Sequence, residues 1–520
     1  MIKLKINNTS IEMPEGTSVL KAAESLGIKI PTMCFHEGYT NHPSCMLCLV
    51  KDAKTEKLHP SCALPVDNNM EIITDDDEIH EARKEALELL LSDHVGDCEA
   101  PCRPSCPAFM DIPLMNRLIA ESKFDEALRV VKEEIALPLI LGYICPAPCE
   151  KACRRTQVDE AVSICGLKKH VAADDIISDK AYMPEKEAKS NKKVAIIGTG
   201  PAGLAAAFYT LKHGHDCVLF DKNEAAGGTL RYEILNEILP NSAIDEEIAI
   251  LEKYGAEFRL NTEINQEFYN KSLKVEFDAI VFATGDFNKS KLSEFNFESG
   301  NYGIIVNRST FEVNDAGVFA CGNIIRSRRM AVTSVAQGKA AALSVHQYLN
   351  GLKPDKKKRM FNSKFGKLQN DELGEYVKES TLDKRIVLAN GKVDDFSHEQ
   401  AVTEAKRCMH CDCRKPNSCK LRIYADEYQA DRKKFLFGDR KTIKKYFQHE
   451  IIIFEPEKCI RCDLCVEIAA EGKDTFGFTN INRGFDVEIS IPFDKPIEDL
   501  FAKTAEKCAR LCPTGAISLK

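Results

Sequence analysis

Cysteines at short, repeated spacings are the residues whose types and positions most clearly indicate chemistry. The chain has 520 residues and 22 cysteines, and most of them fall into groups within residues 34–62, 98–106, 145–165, 408–419 and 459–512. The chain has no long apolar run and no signal-peptide core near its N-terminus, which favours a cytoplasmic location. The cytosol keeps thiols reduced, so disulfides are not expected there. Close spacing beside prolines instead predicts metal ligation.

The first cysteine group predicts a [2Fe–2S] centre. Its spacing, C-x10-C-x2-C-x13-C, joins Cys34, Cys45, Cys48 and Cys62. The close pair can bind one iron from a single loop, and the two distant cysteines complete the second iron. A zinc knuckle, the alternative, needs two close pairs, and only one is present. The spacing resembles the ferredoxin-like N-terminal domain of the large cluster-bearing subunit of respiratory complex I, which implies a β-grasp fold for residues 1–80. An Asn7–Asn8 turn between alternating apolar runs predicts its first hairpin.

The next region, residues 81–190, is predicted to be mostly helical and carries two cysteine motifs, CEAPCRPSCP and ICPAPCEKAC. These motifs resemble the N-terminal domain of the glutamate synthase small subunit and of dihydropyrimidine dehydrogenase. Such domains hold two [4Fe–4S] clusters whose ligands interleave between the motifs. The resemblance covers most of residues 95–352. It implies that one cluster is bound by Cys98, Cys102 and Cys153, and the other by Cys106, Cys145 and Cys149.

The fourth ligands of both clusters depart from that family. The family has a further cysteine before the first motif, where the nearest candidate here is His94. A His-x3-Cys spacing also occurs beside the [2Fe–2S] domain of complex I, although a lone histidine is usually structural or solvated. For the second cluster, the family uses a non-cysteine side chain after the second motif. Our candidate is Cys165, and the alternative is a small buried residue on a helix over 164–173.

The stretch KVAIIGTGPAG, residues 193–203, predicts a dinucleotide-binding unit. A buried strand runs into Gly198-x-Gly200-x-x-Gly203 and then into an Ala-rich helix. The glycines allow a tight turn, close approach of a pyrophosphate and close helix–strand packing, while the helix N-terminus favours phosphate. A second strand ends at Asp221, which can bind a ribose hydroxyl. The alternative is a glycine turn in an ordinary α/β unit.

Four further motifs resemble those of flavin-dependent, disulfide-reductase-like proteins. They are the diglycine turn at 226–231, the strand ending in Ala283-Thr284-Gly285, the strand ending in Gly322-Asn323, and the helix that opens at 336. The resemblance implies FAD. The expected cofactor-binding residues are Gly198, Gly200, Pro201, Ala202, Gly203, Asp221, Lys222, Gly227, Gly228, Thr229, Leu230, Arg231, Ala283, Thr284, Gly285, Gly322, Asn323, Ala336, Gln337 and Gly338.

The glutamate synthase family places a second nucleotide-binding unit between the ATG turn and the last flavin strand. Here only Asp286–Ala316 separates the two, and no second GxGxxG occurs in the chain. A single βαβ unit takes about 30 residues, and a nucleotide domain needs several. We therefore expect FAD without an NAD(P)H domain of the usual kind.

The C-terminal third predicts two further [4Fe–4S] centres. The segment CMHCDC…CKLR resembles extended glutamate-synthase-like iron–sulfur flavoproteins, with zinc as the alternative, and its ligands would be Cys408, Cys411, Cys413 and Cys419. The last group has the bacterial ferredoxin pattern, formed by Cys459, Cys462, Cys465 and Cys512, with Cys512 followed by proline. Cys508 is surplus and is interpreted as a packing thiol.

These patterns predict a multidomain α/β and α+β protein. Its expected parts are a β-grasp domain (1–80), a helical double-cluster domain (81–190), a Rossmann-like FAD domain (191–352), a connector (353–405), a Cys-rich segment (406–439) and a ferredoxin-like domain (440–520). The net charge of −8 argues against nucleic-acid binding. No catalytic residue is predicted, because no nucleophile–base or paired-carboxylate constellation is present.

The leading functional hypothesis is an iron–sulfur flavoprotein subunit that relays electrons within a cytoplasmic multi-subunit oxidoreductase. Its expected cofactors are FAD, one [2Fe–2S] cluster and about four [4Fe–4S] clusters. The expected partners are an NADH/FMN-type flavoprotein subunit and ferredoxin, and electron bifurcation at the flavin is the stronger form of the hypothesis. The alternatives are a self-sufficient NAD(P)H dehydrogenase and a scaffold with structural zinc.

Overall fold

The computed structural model describes residues 1–178, 181–286, 293–327, 330–356, 358–386, 396–484 and 487–520. The chain divides into two compact units that are not contiguous in sequence. The first unit contains Met1–Ala100, Arg359–Glu379 and Cys411–Lys520, and the second contains Pro101–Lys358 and Ser380–His410. The segment predicted as a connector, 353–405, is therefore divided between the units: 359–379 belongs to the first, and 353–358 and 380–405 belong to the second.

The N-terminal part of the first unit is a five-stranded mixed sheet in the order β2-β1-β5-β3-β4. Its strands are β1 (Ile2–Ile6), β2 (Thr9–Met13), β3 (Leu49–Asp52), β4 (Leu58–Pro60) and β5 (Glu71–Ile73). The β1–β2 hairpin is confirmed, with Ile2 opposite Met13. Asn7 and Asn8 both have positive φ, as a two-residue hairpin turn requires. Strand β5 joins β1 in parallel, and the apolar face of the sheet packs on the helix Val19–Ser25.

The C-terminal part of the first unit has two small antiparallel sheets. Strands β11 (Ile452–Phe454) and β14 (Ile517–Leu519) form one pair, and β12 (Thr479–Ile481) and β13 (Glu488–Ser490) form the other. The helices described in this unit after Val19–Ser25 are Asp77–Asp93, Asn370–Val377, Lys420–Glu427, Leu464–Glu471 and Ala505–Leu511. The longest begins at an N-cap, because Asp76 accepts a hydrogen bond from the Ile79 amide at 2.8 Å.

The second unit is built around a parallel five-stranded sheet in the order β10-β9-β6-β7-β8. Its strands are β6 (Lys193–Ile197), β7 (Asp216–Phe220), β8 (Glu257–Arg259), β9 (Ala279–Phe282) and β10 (Val318–Ala320). Read from β8 to β10 this is the 3-2-1-4-5 order of a Rossmann-like sheet. The strand order reverses at β6, which pairs with β7 on one side and with β9 on the other. In such sheets ligands bind at the carboxyl edge near that reversal.

Helices surround this sheet and form most of the rest of the unit. The longest, Ala331–Leu349, packs against Pro201–Lys212, the helix that follows the glycine turn. The others described are Cys102–Ser105, Ile112–Ala120, Phe124–Glu134, Pro138–Ile144, Pro148–Lys151, Ile164–Ile177, Thr229–Tyr232, Asn241–Lys253, Gln266–Phe268, Lys274–Glu276 and His398–Ala405. Among the helices formed by described residues, none combines the length and the apolar character needed to cross a membrane.

A buried carboxyl group makes the stability of the second unit depend on pH. Glu247, on the helix Asn241–Lys253, is 4 % exposed and accepts a hydrogen bond from the Leu139 amide at 2.6 Å. Burial raises its pKa from 4.5 to about 8. Between pH 4.5 and about pH 8, Glu247 is therefore protonated in the folded chain and ionised in the unfolded chain. Stability is consequently lost as the pH rises through this window.

We expect Glu247→Gln to remove this pH dependence, because the amide oxygen can still accept the Leu139 hydrogen bond and never ionises. The wild-type free energy of unfolding should fall by up to about 1.4 kcal/mol per pH unit relative to the variant. Apparent denaturant midpoints between pH 5 and pH 8 measure this slope. Glu246→Gln, on the exposed side of the same helix, is the control. Parallel curves for wild type and Glu247→Gln would contradict the prediction.

Candidate functional site

A large cavity opens at the carboxyl edge of the parallel sheet. Its volume is about 1220 Å³, above the usual range for small-molecule clefts. The turns that follow β6, β7, β9 and β10 all contribute to its wall. The predicted cofactor-binding residues that line it are Gly198, Gly200, Pro201, Ala202, Asp221, Lys222, Gly228, Thr229, Leu230, Ala283, Thr284, Gly285 and Asn323. The strand order therefore brings together motifs that are far apart in sequence.

The glycine turn is closed so tightly that side chains would not fit. A Cβ atom at Gly203 would lie 1.9 Å from the carbonyl oxygen of Gly198. A Cβ atom at Gly198, which has a φ of +103°, would lie 2.4 Å from the carbonyl oxygen of Ala283. Only glycine therefore fits at these two positions, where the turn passes between β9 and the helix Pro201–Lys212. It directs the N-terminus of the helix Pro201–Lys212 to the cavity, as a pyrophosphate site requires.

The Asp221 carboxylate is fixed at the cavity wall. One oxygen accepts hydrogen bonds from the Thr199 amide at 2.8 Å and the Thr199 hydroxyl at 2.6 Å. The other accepts from the Asn223 amide at 3.0 Å. Each carboxylate oxygen can accept more than one hydrogen bond. The carboxylate is therefore a rigid acceptor with capacity left for a ribose hydroxyl.

Some of the predicted residues support the cavity instead of lining it. Arg231 donates to the Ala226 carbonyl at 2.8 Å and pairs with Asp245. Gln337 accepts from the Gly322 amide at 2.9 Å, which joins the turn after β10 to the long helix. Gly203, Gly227, Ala336 and Gly338 are likewise absent from the residues that line the cavity.

Sequence reasoning missed several lining residues, because no motif marks them and only tertiary contacts bring them to the cavity. They include Ile144, Thr199, Asn223, Thr262, Asn265, Met330 and Ser334. Thr199 is the exception, since its position between two predicted glycines would have indicated it. The tight turn, the ordered carboxylate and the volume together fit an extended dinucleotide-type cofactor such as FAD.

Next to this cavity, four thiols of the second unit surround one buried ammonium group. Burial lowers the pKa of Lys168, but the combined negative charge of four nearby thiols outweighs burial, so the pKa is raised. The four belong to Cys165, Cys145, Cys149 and Cys106. A hydrogen bond from Cys165 lowers the pKa of Cys145 to about 6, and burial raises that of Cys149 to about 12. Four thiols with one cation fit an iron–sulfur centre. Ile144, which lines the cavity, is the residue immediately before Cys145.

Lys168 should set the reduction potential of a cluster bound by these thiols. Replacing it with methionine removes a buried positive charge, so adding an electron to the site becomes less favourable. We expect the midpoint potential of one [4Fe–4S] signal to fall by roughly 60 mV or more, one tenfold change for a one-electron couple. An EPR-monitored redox titration measures it. Lys168→Arg keeps the charge and is the control, and an unchanged potential in Lys168→Met would count against the assignment.

The four N-terminal cysteines of the first unit also lie together. All are buried, and the sulfur atoms of Cys34 and Cys45 are 3.4 Å apart. Hydrogen bonds from Cys45 and Cys62 lower the pKa of Cys34, while the same bonds raise the pKa values of those two partners. A hydrogen bond from Cys62 lowers the pKa of Cys48 to about 7. Four thiols this close together can all be deprotonated only if positive charge is bound between them, and two iron ions would supply that charge.

The ferredoxin-pattern cysteines surround a small cavity of about 20 Å³ in the same unit. Its wall includes Cys459, Cys462, Cys465 and Cys512. Burial, and to a smaller extent the nearby Cys512 thiol, raise the pKa of Cys459 to about 12. Cys508 lines the same cavity, with its sulfur 3.8 Å from the Cys465 carbonyl oxygen, so this surplus thiol packs beside the site.

The remaining predicted ligands are divided between the two units. Cys102, Cys153 and Cys408 belong to the second unit, where the Arg155 guanidinium donates to the Arg407 carbonyl at 2.9 Å, next to Cys408. Cys98, Cys411, Cys413 and Cys419 belong to the first unit, together with His94. Burial lowers the pKa of His94 to about 4. The structure brings Cys98 to Cys413 and Cys419, a grouping that no sequence pattern predicted.

Comparisons with known proteins match three segments of the chain to known domains. Residues 1–77 match a 2Fe-2S iron-sulfur cluster binding domain, and residues 72–180 match dihydropyrimidine dehydrogenase domain II, a 4Fe-4S cluster domain. Residues 192–292 match the pyridine nucleotide-disulphide oxidoreductase domain. The chain is therefore a multidomain α/β iron–sulfur protein with a Rossmann-like oxidoreductase domain, and the predicted resemblance is confirmed at the level of these domains.

Similar proteins are oxidoreductase chains. The chain is 35% identical over 188 residues to the NADPH-Fe(3+) oxidoreductase subunit beta of Geobacter sulfurreducens, covering 36% of this chain and 28% of that protein. It is 33% identical over 227 residues to the NADP(+)-dependent formate dehydrogenase subunit beta of Moorella thermoacetica, covering 40% and 32%. It is 36% identical over 188 residues to the glutamate synthase [NADPH] small chain of Bacillus subtilis, covering 35% and 36%. The matches thus span about a third of each relative's length.

Proposed function

We propose that this chain is the electron-transfer subunit of a multi-subunit oxidoreductase and that it carries FAD, one [2Fe–2S] cluster and about four [4Fe–4S] clusters. One observation carries the proposal. Ile144 lines the dinucleotide-type cavity, and the next residue in the sequence, Cys145, belongs to the four-thiol group. This arrangement supports a flavin-type site beside a metal site within one unit.

Flavins exchange one or two electrons and iron–sulfur clusters exchange one, which is the chemistry these groups supply when bound. The chain's own residues bind and orient them. The glycine turn after β6 would hold the pyrophosphate, Asp221 would hold the ribose, and Asn323 lines the cavity from the turn after β10. Lys168 stabilises negative charge on the thiol group.

The finer domain assignment is part of the proposal. The mixed sheet and packed helix of the first 80 residues support a β-grasp [2Fe–2S] domain. The two antiparallel pairs and the thiol-lined cavity near the C-terminus support a ferredoxin-like domain over 440–520. Residues 81–190 and 191–352 would be the double-cluster and FAD domains, and the Cys-rich segment 406–439 would follow the connector 353–405.

Partner subunits are expected because the relatives from Geobacter and Moorella are themselves named as beta subunits. An NADH/FMN-type flavoprotein subunit and ferredoxin remain the proposed partners. The alternative, direct oxidation of NAD(P)H by this chain, is disfavoured by the span between β9 and β10. In its described part, 293–316, the regular structure is the short turn Ser293–Phe295 and single bridges, and residues 287–292 lie outside the described residues.

The proposal is tested by mixing the purified, FAD-loaded chain with NADH or NADPH under anaerobic conditions. We expect the flavin absorption band to persist, because no βαβ unit for a nicotinamide nucleotide forms among the described residues of that span. Dithionite should bleach the same band, which controls for an inactive flavin. Rapid bleaching by NADH or NADPH alone would favour the self-sufficient dehydrogenase. Zinc in place of iron and sulfide would overturn both hypotheses.

A further inference from the structure

Two distant segments of the first unit meet at Cys98 and Cys413. The Cys413 amide donates to the Cys98 carbonyl oxygen at 3.3 Å, and the Ser363 amide donates to the Cys98 sulfur at 3.4 Å. The Cys413 sulfur occupies the space that a side chain at residue 515 would need, since a Cβ atom at Gly515 would lie 2.3 Å from it. Both thiols are buried. The fold thus makes room for a thiol at this point.

Cys419 is held at the same place by a buried ion pair. It immediately precedes the helix Lys420–Glu427, on which Arg422 pairs with Glu99 at 2.6 Å, both side chains being 5% exposed. Glu99 is the residue after Cys98, so this pair fixes the two cysteine segments against each other. Burial raises the pKa of Cys419 to about 12, with further contributions from the thiols of Cys413 and Cys98. Three buried thiols therefore share one neighbourhood.

A buried imidazole next to this group has an unsatisfied nitrogen. His94 is 9 % exposed, and its Nδ1 has no hydrogen-bond partner among the residues that the structure describes. The side chains of His94, Cys98 and Cys413 all lie within electrostatic reach of one ammonium group, that of Lys458. An unpaired buried nitrogen is costly unless a ligand or metal satisfies it. Imidazole nitrogen and thiolate are both ligand types of iron–sulfur centres.

We propose that Cys98, Cys413 and Cys419 hold a separate iron–sulfur centre whose fourth ligand is His94. The inference rests on the proposed iron–sulfur function and deepens it. It differs from the ligand set that the family resemblance implies, in which Cys98 shares a cluster with Cys102 and Cys153. Lys458 and the Glu99-bound Arg422 supply positive charge beside the thiols.

Ligands of this centre share an apolar cluster with ligands of two other centres of the same unit. One apolar cluster contains Cys34 and Cys45 of the [2Fe–2S] group, Cys419 of the new centre, and Cys462 of the ferredoxin group. Leucines at 47, 87 and 91 and Ile460 also belong to it. Ligands of three centres therefore meet in one dry core, the arrangement that a chain of one-electron carriers needs. The first unit would thus contain its own relay of three centres.

The pairing of ligands is tested on the full chain, reconstituted anaerobically with iron and sulfide, by iron analysis and EPR of the reduced protein. We expect Cys98→Ser, Cys413→Ser and Cys419→Ser each to lose about four irons and the same EPR signal. Cys153→Ser should lose a different signal. Cys217→Ala, which removes a buried strand thiol, is the matched control and should lose none. If Cys98→Ser and Cys153→Ser lose the same signal, the proposed pairing is overturned.

Further variants test the fourth ligand and guard against misfolding. His94→Ala should lose or alter that same signal, and His94→Cys should retain the irons with a changed spectrum. Full iron and an unaltered spectrum in His94→Ala would remove His94 from the set. Gly515→Ala keeps every thiol but crowds the Cys413 sulfur, and it should perturb the same signal, whereas an unchanged spectrum would count against the site. The [2Fe–2S] signal reports folding of the unit in each variant. A wild-type chain without any cluster signal would instead contradict the proposed function.

Discussion

Replacing Gly203 with alanine is expected to leave the chain without bound flavin. The added Cβ would lie 1.9 Å from the Gly198 carbonyl oxygen, a separation that real Cβ atoms do not reach. The turn must therefore open and displace the start of the helix Pro201–Lys212 from the cavity. Because the pyrophosphate site consists of that turn and helix end, we expect flavin affinity to fall by at least about 100-fold, or roughly 3 kcal/mol.

The measurement is the flavin content of the purified variant, together with its iron content. The cysteine sites of the first unit lie on other segments, so their irons should be retained. Gly374→Ala is the matched control, since a Cβ there would meet no atom of the described residues within 4 Å and the residue lies in the helix Asn370–Val377. It should bind flavin as the wild type does. Normal flavin content in Gly203→Ala would show that the cavity is not the flavin site.

Replacing Cys165 with serine is expected to remove one whole [4Fe–4S] cluster. Cys165 is 9 % exposed, is hydrogen-bonded to Cys145, and lies with three other thiols around Lys168. A serine hydroxyl is a poor substitute for a thiolate ligand. We therefore expect a loss of about four irons per chain and of one EPR signal, with flavin content preserved.

Cys321→Ala is the control for this prediction, because Cys321 is equally a buried thiol of the second unit but its pKa is raised by burial alone. It should retain the full iron content. Cys106→Ser should lose the same EPR signal as Cys165→Ser, which would identify the two residues as ligands of one centre. If Cys165→Ser kept all of its iron, the alternative of a small buried packing residue on the helix Ile164–Ile177 would be preferred.

Features contained in one short segment could be predicted from the sequence. The strand, turn and helix at 193–212, the carboxylate that ends the next strand, and the Asn7–Asn8 hairpin all follow from local periodicity and backbone preference. The four N-terminal cysteines lie together as their spacing suggested. Local propensity and spacing act within a few residues, so tertiary packing had little left to decide at these points.

Only the tertiary structure decided which distant segments share a site. Arg231 belongs to a cofactor-type motif, yet its side chain pairs with Asp245, because packing and charge around the turn outweigh the local pattern. Cys98 is close to Cys102 in sequence, yet its carbonyl oxygen accepts a hydrogen bond from the Cys413 amide. The ion pair between Arg422 and Glu99, the residue after Cys98, also holds these segments together. A ligand set depends on through-space distance after folding, whereas spacing along the chain constrains that distance only over short loops.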